Sequence, residues 1–222
     1  MYLLASDTSG KNGSIALAQC QHDGRCDVME VVPLAGGTFS AQLVPQIADL
    51  LSRHGLSKSS LDAFAVASGP GSFTGLRIGL AAIKGLAEIL GKPIAPVSLL
   101  EAMASASGHA GCVLAAMDAG RGEFYAATCK SEGSSRRLVS ECLLTQAELF
   151  DAAKDCLLIT PEAALAAAGR TLGVNVEHIA RPGSEAVARL GWEKIRAGQI
   201  VTPEALDANY IRRAVDPVAV QR

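Results

Sequence analysis

Aromatic residues and clusters of positive charge are both scarce in this 222-residue sequence. Phe, Trp and Tyr make up 4% of the chain, whereas hydrophobic residues make up 49%, so aliphatic residues supply most of the apolar content. This balance is typical of helices packed closely on a sheet and disfavours an aromatic-rich all-β core. The net charge is -2, and no run of four or more Lys or Arg is present to hold nucleic-acid phosphates. Composition therefore favours an α/β protein that would reach RNA only through a partner.

Long apolar runs and metal-binding motifs are also missing. No apolar stretch approaches the roughly 20 residues needed to cross a bilayer, and no charged-then-apolar segment opens the chain, so a cytoplasmic protein is predicted. The four histidines form no HxxxH or HExxH pair and the six cysteines form no CxxC pair, so no metal site is predicted. Small buried thiols are favoured over disulfides for the cysteines, which are Cys20, Cys26, Cys112, Cys129, Cys142 and Cys156.

The first half of the chain reads as strands, a glycine loop and helices. Two apolar runs separated by Asn12-Gly13 predict an opening β-hairpin. Apolar residues at helical spacing predict a first helix from Ser40 to about Gly55, in which Pro45 either delays the start or removes one backbone hydrogen bond. A capping box at 98–101 begins a later helix. The other predicted elements are strands at 3–7, 14–18, 26–34, 63–67 and 94–97, and a helix at 74–90.

The second half repeats the opening of the first. Asp7 and Asp118 each end an apolar strand before a turn of small residues, and they lie 111 residues apart. A hairpin at 112–128 is followed by predicted strands at 138–144 and 156–160 and by helices that begin near 145, 161, 184 and 202. Two such α/β halves match the actin-like (ASKHA, RNase H-like) architecture, in which each half is a mixed sheet opened by a β-hairpin and packed with helices. We therefore predict domains at 1–97 and 98–202, with a C-terminal helix at about 203–222 packing back on the first.

The segment Gly69-Pro-Gly-Ser-Phe-Thr-Gly75 lies between a predicted strand and a predicted helix. Free amides and the helix dipole favour an anion at such a position, so Gly71, Ser72 and Thr74 form a candidate anion site. The spacing GxGxxxG is one residue longer than the dinucleotide fingerprint, however, and no GK[ST] follows. The alternative is that the glycines permit a tight turn and close backbone packing. Spacing alone leaves both interpretations open.

The helix after this loop carries an uneven distribution of small residues. At about 100° per residue its first two glycines and Ala82 share one side, and its charged residues lie nearly opposite. Glycine inside a helix costs about 1 kcal/mol relative to alanine, a loss that close approach of another element can offset. Either the helix is buried within one chain or its small-residue face meets another subunit. In the second case the candidate partner interface is Gly75, Leu76, Ile78, Gly79, Ala82, Ile83 and Leu86.

The two aspartate turns are candidate phosphate loops. In actin-like enzymes such turns clasp Mg-nucleotide phosphates, whereas Asp also caps turns without binding a ligand. A kinase or ATPase of this fold needs a catalytic carboxylate and an adenosine-binding glycine motif, and the second half shows no convincing GG motif. We therefore interpret the turns as vestigial phosphate loops and keep an ASKHA-fold nucleotide-binding kinase or ATPase as the alternative function. The candidate residues are Asp7, Thr8, Ser9, Asp118 and Gly120.

Four segments resemble the bacterial TsaB (YeaZ) family, dimerisation subunits of the machinery that makes tRNA threonylcarbamoyladenosine (t6A). They are LASDTS at 4–9, AVASGPGSFTGLRIG at 65–79 with its continuation to Leu86, MDAGRGEFY at 117–125 and NYIR at 209–212. The long middle segment is specific, and the others are supportive. Residues 130–200 align only as a general pattern. Many members open the first long helix with His-Ser, where this chain has Phe39-Ser40.

The resemblance implies a non-catalytic subunit with neither cofactor nor metal. It implies that the chain binds and activates TsaD, the catalytic paralogue that carries a metal-binding HxxxH pair. TsaD would then transfer threonylcarbamoyl to N6 of adenosine 37 in tRNAs reading ANN codons, with the ATPase TsaE and the tRNA joining through the complex. The isolated chain is expected to form a homodimer. A glycopeptidase, an old label for the wider family, is disfavoured because no credible nucleophile and His arrangement is present.

Overall fold

The computed structural model describes residues 1–132 and 135–211. These residues form two five-stranded sheets of the same topology, with helices packed on them. The strands of the first sheet are β1 (Tyr2–Asp7), β2 (Gly13–Cys20), β3 (Cys26–Leu34), β4 (Leu61–Gly69) and β5 (Ile94–Ser98). They are arranged in the order β3-β2-β1-β4-β5. Strands β1 to β3 form an antiparallel meander, and β4 and β5 continue the sheet in parallel beside β1.

The second sheet repeats this pattern. Its strands are β6 (Cys112–Gly120), β7 (Glu123–Glu132), β8 (Ser135–Thr145), β9 (Leu157–Thr160) and β10 (Val176–His178). Their order is β10-β9-β6-β7-β8, again an antiparallel meander of three strands extended by two parallel strands. The prediction of two actin-like halves, each with a mixed sheet opened by a β-hairpin, is confirmed.

Six helices connect and cover the sheets within the described ranges. They are α1 (Phe39–Arg53), α2 (Phe73–Leu90), α3 (Leu99–Ala106), α4 (Gln146–Ala152), α5 (Ala163–Thr171) and α6 (Ser184–Arg196). The capping box that the sequence predicts at 145–148 is confirmed, and at 98–101 the Ser98 side chain caps α3 by accepting the N–H of Glu101, while the Glu101 carboxylate pairs with Lys194. Gly91 ends α2 in the left-handed conformation, with a φ of 62°.

The sheets and helices stack as five layers. On the outer face of the first sheet, Leu4 and Phe64 share a buried cluster with Leu80 of α2. Helices α4 and α5 cover the outer face of the second sheet in the same way. Helices α3 and α6 lie between the sheets, α6 against the first and α3 mainly against the second, and they contact each other. A single central core therefore joins the two halves.

Small residues allow this central layer to be thin. Strand β4 turns Ala63, Ala65 and Ala67 towards the central layer, while its alternate residues face the outer helices. Helix α6 approaches so closely that a Cβ at Gly191 would lie 2.4 Å from the Cβ of Ala65. Bulky side chains would hold α6 and the sheet apart, which accounts for the alanine-rich, aromatic-poor composition.

The structure decides one open alternative and corrects one local expectation. Helix α1 keeps Pro45 inside its span, so the carbonyl of Ala41 loses the donor that usually lies four residues later. The first hairpin pairs Asp7 with Ser14 and β2 begins at Gly13, so the loop covers 8–12 and Asn12-Gly13 is not a two-residue turn. The hairpin itself is confirmed.

The segment after α6 returns to the first sheet without forming the predicted helix in its described part. Residues 203–205 form a turn and 206–211 are non-helical, whereas 212–222 lie outside the described residues. Val201 forms an isolated bridge with Ile94, and the N–H of Asn209 donates to the carbonyl of Ser68 over 2.7 Å. Helix α6 packs on the first sheet although it belongs to the predicted range 98–202. The domain boundaries stay a prediction.

The structure corrects the prediction of free thiols for one pair of cysteines, Cys112 and Cys156. Cys112 begins β6 and Cys156 immediately precedes β9. Because Val113 pairs with Leu157 in parallel register, the Cα atoms of Cys112 and Cys156 lie 4.7 Å apart. This separation suits a disulfide, and the two residues form one. The four other cysteines are free, and Cys20 and Cys129 are buried as expected.

Candidate functional site

A cleft of about 380 Å³ lies between the opening hairpin turns of the two halves. Its walls come from Ser9–Lys11, Pro70–Ser72, Met117–Ala119, Tyr125 and Arg181. This volume falls within the range of small-molecule sites. The cleft gathers four of the predicted site residues, Ser9, Gly71, Ser72 and Asp118, and it leaves Asp7, Thr8, Thr74 and Gly120 outside its lining.

The glycine loop between β4 and α2 packs directly on the first hairpin turn. The N–H of Ser72 donates to the carbonyl of Ser9 over 2.7 Å, and a Cβ at Gly71 would lie 2.5 Å from the same oxygen. The hydroxyl of Ser72 accepts the N–H of Gly75 over 3.2 Å and so caps α2. These contacts occupy amides that a phosphate would otherwise use. Of the two interpretations of the glycine spacing, the contacts favour close backbone packing.

The glycine-bearing face of α2 is covered by Thr8 of the same chain. The hydroxyl of Thr8 donates to the carbonyl of Gly75 over 2.7 Å, and a Cβ at Gly75 would lie 2.0 Å from the carbonyl oxygen of Thr8. A Cβ at Gly79 would lie 2.3 Å from Thr8 Oγ1. Any side chain at either position would collide with the turn. The close approach that the helical glycines predict therefore occurs inside this chain.

Burial divides the seven predicted interface residues of α2. Gly75, Leu76, Gly79 and Ile83 are buried within the chain, whereas Ile78, Ala82 and Leu86 are half-buried. An uncharged part of the surface that α2 presents to solvent lies beside the predicted glycine face. We call it the α2 outer stripe, and it consists of Thr74, Ile78, Ala81, Ala82, Gly85 and Ile89. Ile89 is its most exposed large side chain, at 77%.

An aromatic and cationic cluster stands at the start of α2. The guanidinium carbon of Arg77 lies 3.8 Å from the ring centroid of Phe73, and Arg77 Nε donates to the hydroxyl of Tyr210 over 3.1 Å. The rings of Phe73 and Tyr210 have centroids 5.4 Å apart. The cation–π contact and the ring pair fix the segment after α6 against α2.

Asp7 and Asp118 end equivalent strands but lie in different environments. Each accepts the backbone N–H two residues later, from Ser9 and Gly120 respectively, over 2.9 Å. Asp7 is only 4% exposed, and burial raises the pKa of its carboxyl above the ordinary 3.8 despite the opposing hydrogen bonds from Ser9. Asp118 is exposed and lines the cleft. Both carboxylates cap their own turns, which matches the interpretation that needs no ligand.

Sequence reasoning missed two cationic residues of the cleft, Lys11 and Arg181. Arg181 Nη2 donates to the hydroxyl of Ser9 over 3.2 Å, so the loop after β10 meets the first hairpin turn. Neither cation belongs to a motif, and 172 residues separate Arg181 from Ser9. Positive side chains beside serine hydroxyls favour an anionic ligand.

Within residues 1–132 and 135–211, no three His, Cys, Asp or Glu side chains lie close enough together to hold a metal ion. No helix in these ranges combines the length and the apolar character needed to span a bilayer.

Comparison with known proteins gives consistent similarities. A family model described as TsaD: tRNA N6-adenosine threonylcarbamoyltransferase matches residues 31–183. The chain is 39% identical over 126 residues to the tRNA threonylcarbamoyladenosine biosynthesis protein TsaB of Haemophilus influenzae, a match covering 55% of this chain and 51% of that protein. For the protein of the same name from Escherichia coli K12, the identity is 37% over 129 residues, covering 56% and 53%. The chain thus spans about half the length of the curated relatives it matches.

The similarity to solved structures extends over nearly the whole chain. YeaZ from Pseudomonas aeruginosa superposes with a TM-score of 0.73 at 29% identity. The superposition covers 94% of this chain and 99% of that chain. Both five-stranded sheets therefore have counterparts in that structure.

Proposed function

This chain belongs to the TsaB (YeaZ) group of the TsaD family, and we propose that it is a non-catalytic accessory subunit in tRNA threonylcarbamoyladenosine biosynthesis. In this proposal it binds a TsaD transferase in the cytoplasm and activates threonylcarbamoyl transfer to N6 of adenosine 37 in tRNAs reading ANN codons. TsaE and the tRNA join through that complex. The isolated chain pairs with a second copy of itself.

The surface formed by α1 and α2 is the main support for a role in binding another protein. All six residues of the α2 outer stripe are uncharged, and Ile89 is 77% exposed. On the neighbouring α1, Val44 is 51% exposed and stands beside exposed Ala41 and Ala48. Charged residues such as Arg77 and Glu88 border the stripe. An apolar patch with a polar rim is typical of a protein–protein interface.

The family match indicates which partner suits this surface. The TsaD family model covers residues 31–183, a range that includes α1 and α2. A TsaD transferase therefore contains counterparts of both helices. Two related folds can pair through equivalent surfaces much as two identical chains do about a two-fold axis. The same surface would serve the heterodimer with TsaD and the homodimer of the isolated chain.

A mixing experiment with matched variants tests this proposal. The chain and TsaD from the same organism should elute together in gel filtration at micromolar concentration. Ile89→Glu places a charge on the α2 outer stripe and should abolish co-elution. Leu172→Glu is the control, because Leu172 is also highly exposed, at 68%, but follows α5 on the second half. Separate elution of the wild-type proteins, or equal effects of the two variants, would contradict the proposed surface.

Activation is measured separately from binding. TsaD, TsaE, the threonylcarbamoyl donor and an ANN-reading tRNA are incubated with and without this chain, and t6A is quantified by mass spectrometry. We expect the modification to depend on the chain and to fall with Ile89→Glu. Binding without any effect on modification would contradict the activating role while leaving the interface intact.

Nucleotide binding in the cleft between the two halves is the second candidate function. The cleft brings Lys11 and Arg181 together with the turns after β1 and β6 and the glycine loop, and in the actin-like alternative these two turns would hold the nucleotide phosphates. Calorimetric titration of the isolated chain with Mg-ATP tests it. Micromolar binding that is lost in Arg181→Ala and kept in Arg170→Ala, an exposed arginine of α5, would support this alternative. An absence of heat with the wild-type chain would count against it.

A further inference from the structure

Two free cysteines face each other across the β2–β3 hairpin. Cys20 ends β2, Cys26 begins β3, and the two residues are direct partners in the strand register. Their sulfur atoms lie 3.1 Å apart. The hairpin is ordered by its own loop, in which the N–H of Gln21 donates to the carbonyl of Arg25 over 2.8 Å. The sulfur atoms therefore meet in a defined geometry.

The register places this pair at a position compatible with a cross-strand bond. Positions 21 and 25 share a hydrogen bond, so the adjacent pair, Cys20 and Cys26, occupies a non-hydrogen-bonded position of the ladder. Directly opposed residues at such positions have Cα atoms about 4.5 Å apart. This value falls within the range of about 4.4–6.8 Å that disulfides span. The register of the two strands is therefore compatible with a bond between the two sulfur atoms.

The two thiols differ in accessibility and in ionisation. Cys20 is 2% exposed, whereas Cys26 is half-buried and lies on β3, an edge strand of the first sheet. A hydrogen bond from Cys20 stabilises the thiolate of Cys26 and lowers its pKa, and the charge of Arg189 on α6 acts in the same direction. The pKa of Cys20 is raised because its thiol is the donor and is buried. Cys26 is therefore the attacking group and Cys20 the resolving group.

We propose that Cys20 and Cys26 form a two-cysteine oxidation site that reacts with hydroperoxides, a role separate from the proposed part in tRNA modification. The Cys26 thiolate attacks a peroxide oxygen, which forms an S–O bond and breaks the O–O bond. Hydroxide leaves and is protonated to water. The Cys20 sulfur then attacks the Cys26 sulfur, which forms the S–S bond and breaks the S–O bond, and the Cys20 proton leaves with the oxygen as a second water. The two thiols are oxidised to one disulfide while hydrogen peroxide is reduced to two waters.

Peptide mapping of the full chain tests the site directly. Trypsin cleaves after Lys11, Arg25 and Arg53, so Cys20 and Cys26 fall in separate peptides, 12–25 and 26–53. Folded, pre-reduced protein is treated with equimolar hydrogen peroxide, blocked with N-ethylmaleimide and digested without reductant. Beside the re-formed Cys112–Cys156 disulfide, we expect the linked pair of peptides as the main new product, two hydrogen atoms lighter than the sum of its parts and reversed by dithiothreitol. Recovery of both peptides blocked by N-ethylmaleimide while exposed Cys142 is oxidised would overturn the proposal.

Two variants separate the roles of the cysteines. In Cys20→Ser the oxidised Cys26 cannot be resolved, so dimedone labelling of peptide 26–53 should increase several-fold over wild type. Cys142→Ser is the control and should leave the linked product unchanged. If Cys20→Ser fails to fold, the rate at which the Cys20–Cys26 link forms is compared between the folded wild-type chain and the wild-type chain unfolded in urea. A link that forms no faster in the folded chain than in the unfolded chain would mean that the fold does not prepare the site.

Discussion

The hydroxyl of Thr8 donates a 2.7 Å hydrogen bond to the carbonyl of Gly75, across 67 residues of sequence. This bond joins the turn after β1 to the first turn of α2. The same turn approaches the helix so closely that Gly75 and Gly79 have no room for a side chain. The helical glycines that resemble an interface motif in the sequence are therefore needed for contact between two elements of one chain.

Alanine substitutions on α2 should distinguish this packing from a general property of the helix. Gly75→Ala places a Cβ about 2.0 Å from the backbone oxygen of Thr8, so we expect a loss of about 3 kcal/mol or more in the free energy of unfolding. Gly85→Ala is the matched control, since no atom lies within 4 Å of its added Cβ. Its higher helix propensity should stabilise the chain by up to about 1 kcal/mol. Urea unfolding measures both, and equal effects of the two substitutions would contradict the intrachain packing of this face.

The stability of the chain should depend on pH through Asp7. Burial raises the native pKa of this carboxyl, so the folded state binds its proton more tightly than the unfolded state does. The resulting stabilisation is complete below the ordinary pKa of 3.8 and is lost as the pH rises through the native pKa. Asp7→Asn removes the buried charge and keeps an acceptor for the N–H of Ser9.

We therefore expect Asp7→Asn to be more stable than wild type at neutral pH, with the difference disappearing as the pH falls towards 3.8. Thermal unfolding between acidic and neutral pH measures this difference. The exposed Asp118→Asn at the equivalent turn is the control and should follow the wild-type profile. A wild-type chain more stable than Asp7→Asn at neutral pH would show that the hydrogen bonds of Asp7 outweigh its burial.

The ion pair between α3 and α6 should contribute more than an exposed pair of the same type. Lys194 Nζ lies 2.7 Å from Glu101 Oε2, with side chains 16% and 9% exposed. Lys194→Met leaves a buried carboxylate without its cation and should cost about 3–5 kcal/mol in the free energy of unfolding. Lys154→Met removes the partner of Asp151, where both side chains are 71% exposed, and should change stability by less than about 1 kcal/mol. If chemical denaturation gave similar losses of stability for the two variants, the Lys194–Glu101 pair would be screened by solvent as the exposed pair is.

Reduction of the disulfide should destabilise the second half. Cys112 and Cys156 lie 44 positions apart in the sequence, and opening a loop of this size in the unfolded chain typically costs about 2–4 kcal/mol of stability. The double substitution Cys112→Ala and Cys156→Ala should lower the melting temperature, and dithiothreitol should lower it in wild type but not in this variant. Cys142→Ser, which removes an exposed free thiol, should leave the melting temperature unchanged.

The alternation of strands, glycine turns and helices was sufficient to predict the two halves and most of their elements. Contacts between distant segments were not predictable in the same way. The cleft gains Arg181 from a loop without a motif, and spacing on α2 could not identify Thr8 as the neighbour of Gly75. The pairing of Cys112 with Cys156 depends on the parallel register of β6 and β9, which no local signal in the sequence specifies.

The position of α6 has a consequence for the order of events during synthesis. This helix, at Ser184–Arg196, covers the inner face of a sheet whose strands all lie before residue 99. While the ribosome extends the chain, the alanine face of β4 is contacted by α3 but stays incompletely covered until α6 has been made. Because nascent segments generally fold as whole units, the first sheet must wait for a helix that follows the whole second sheet in the chain before its core is complete. Interrupted translation products would thus display this apolar face to chaperones and proteases.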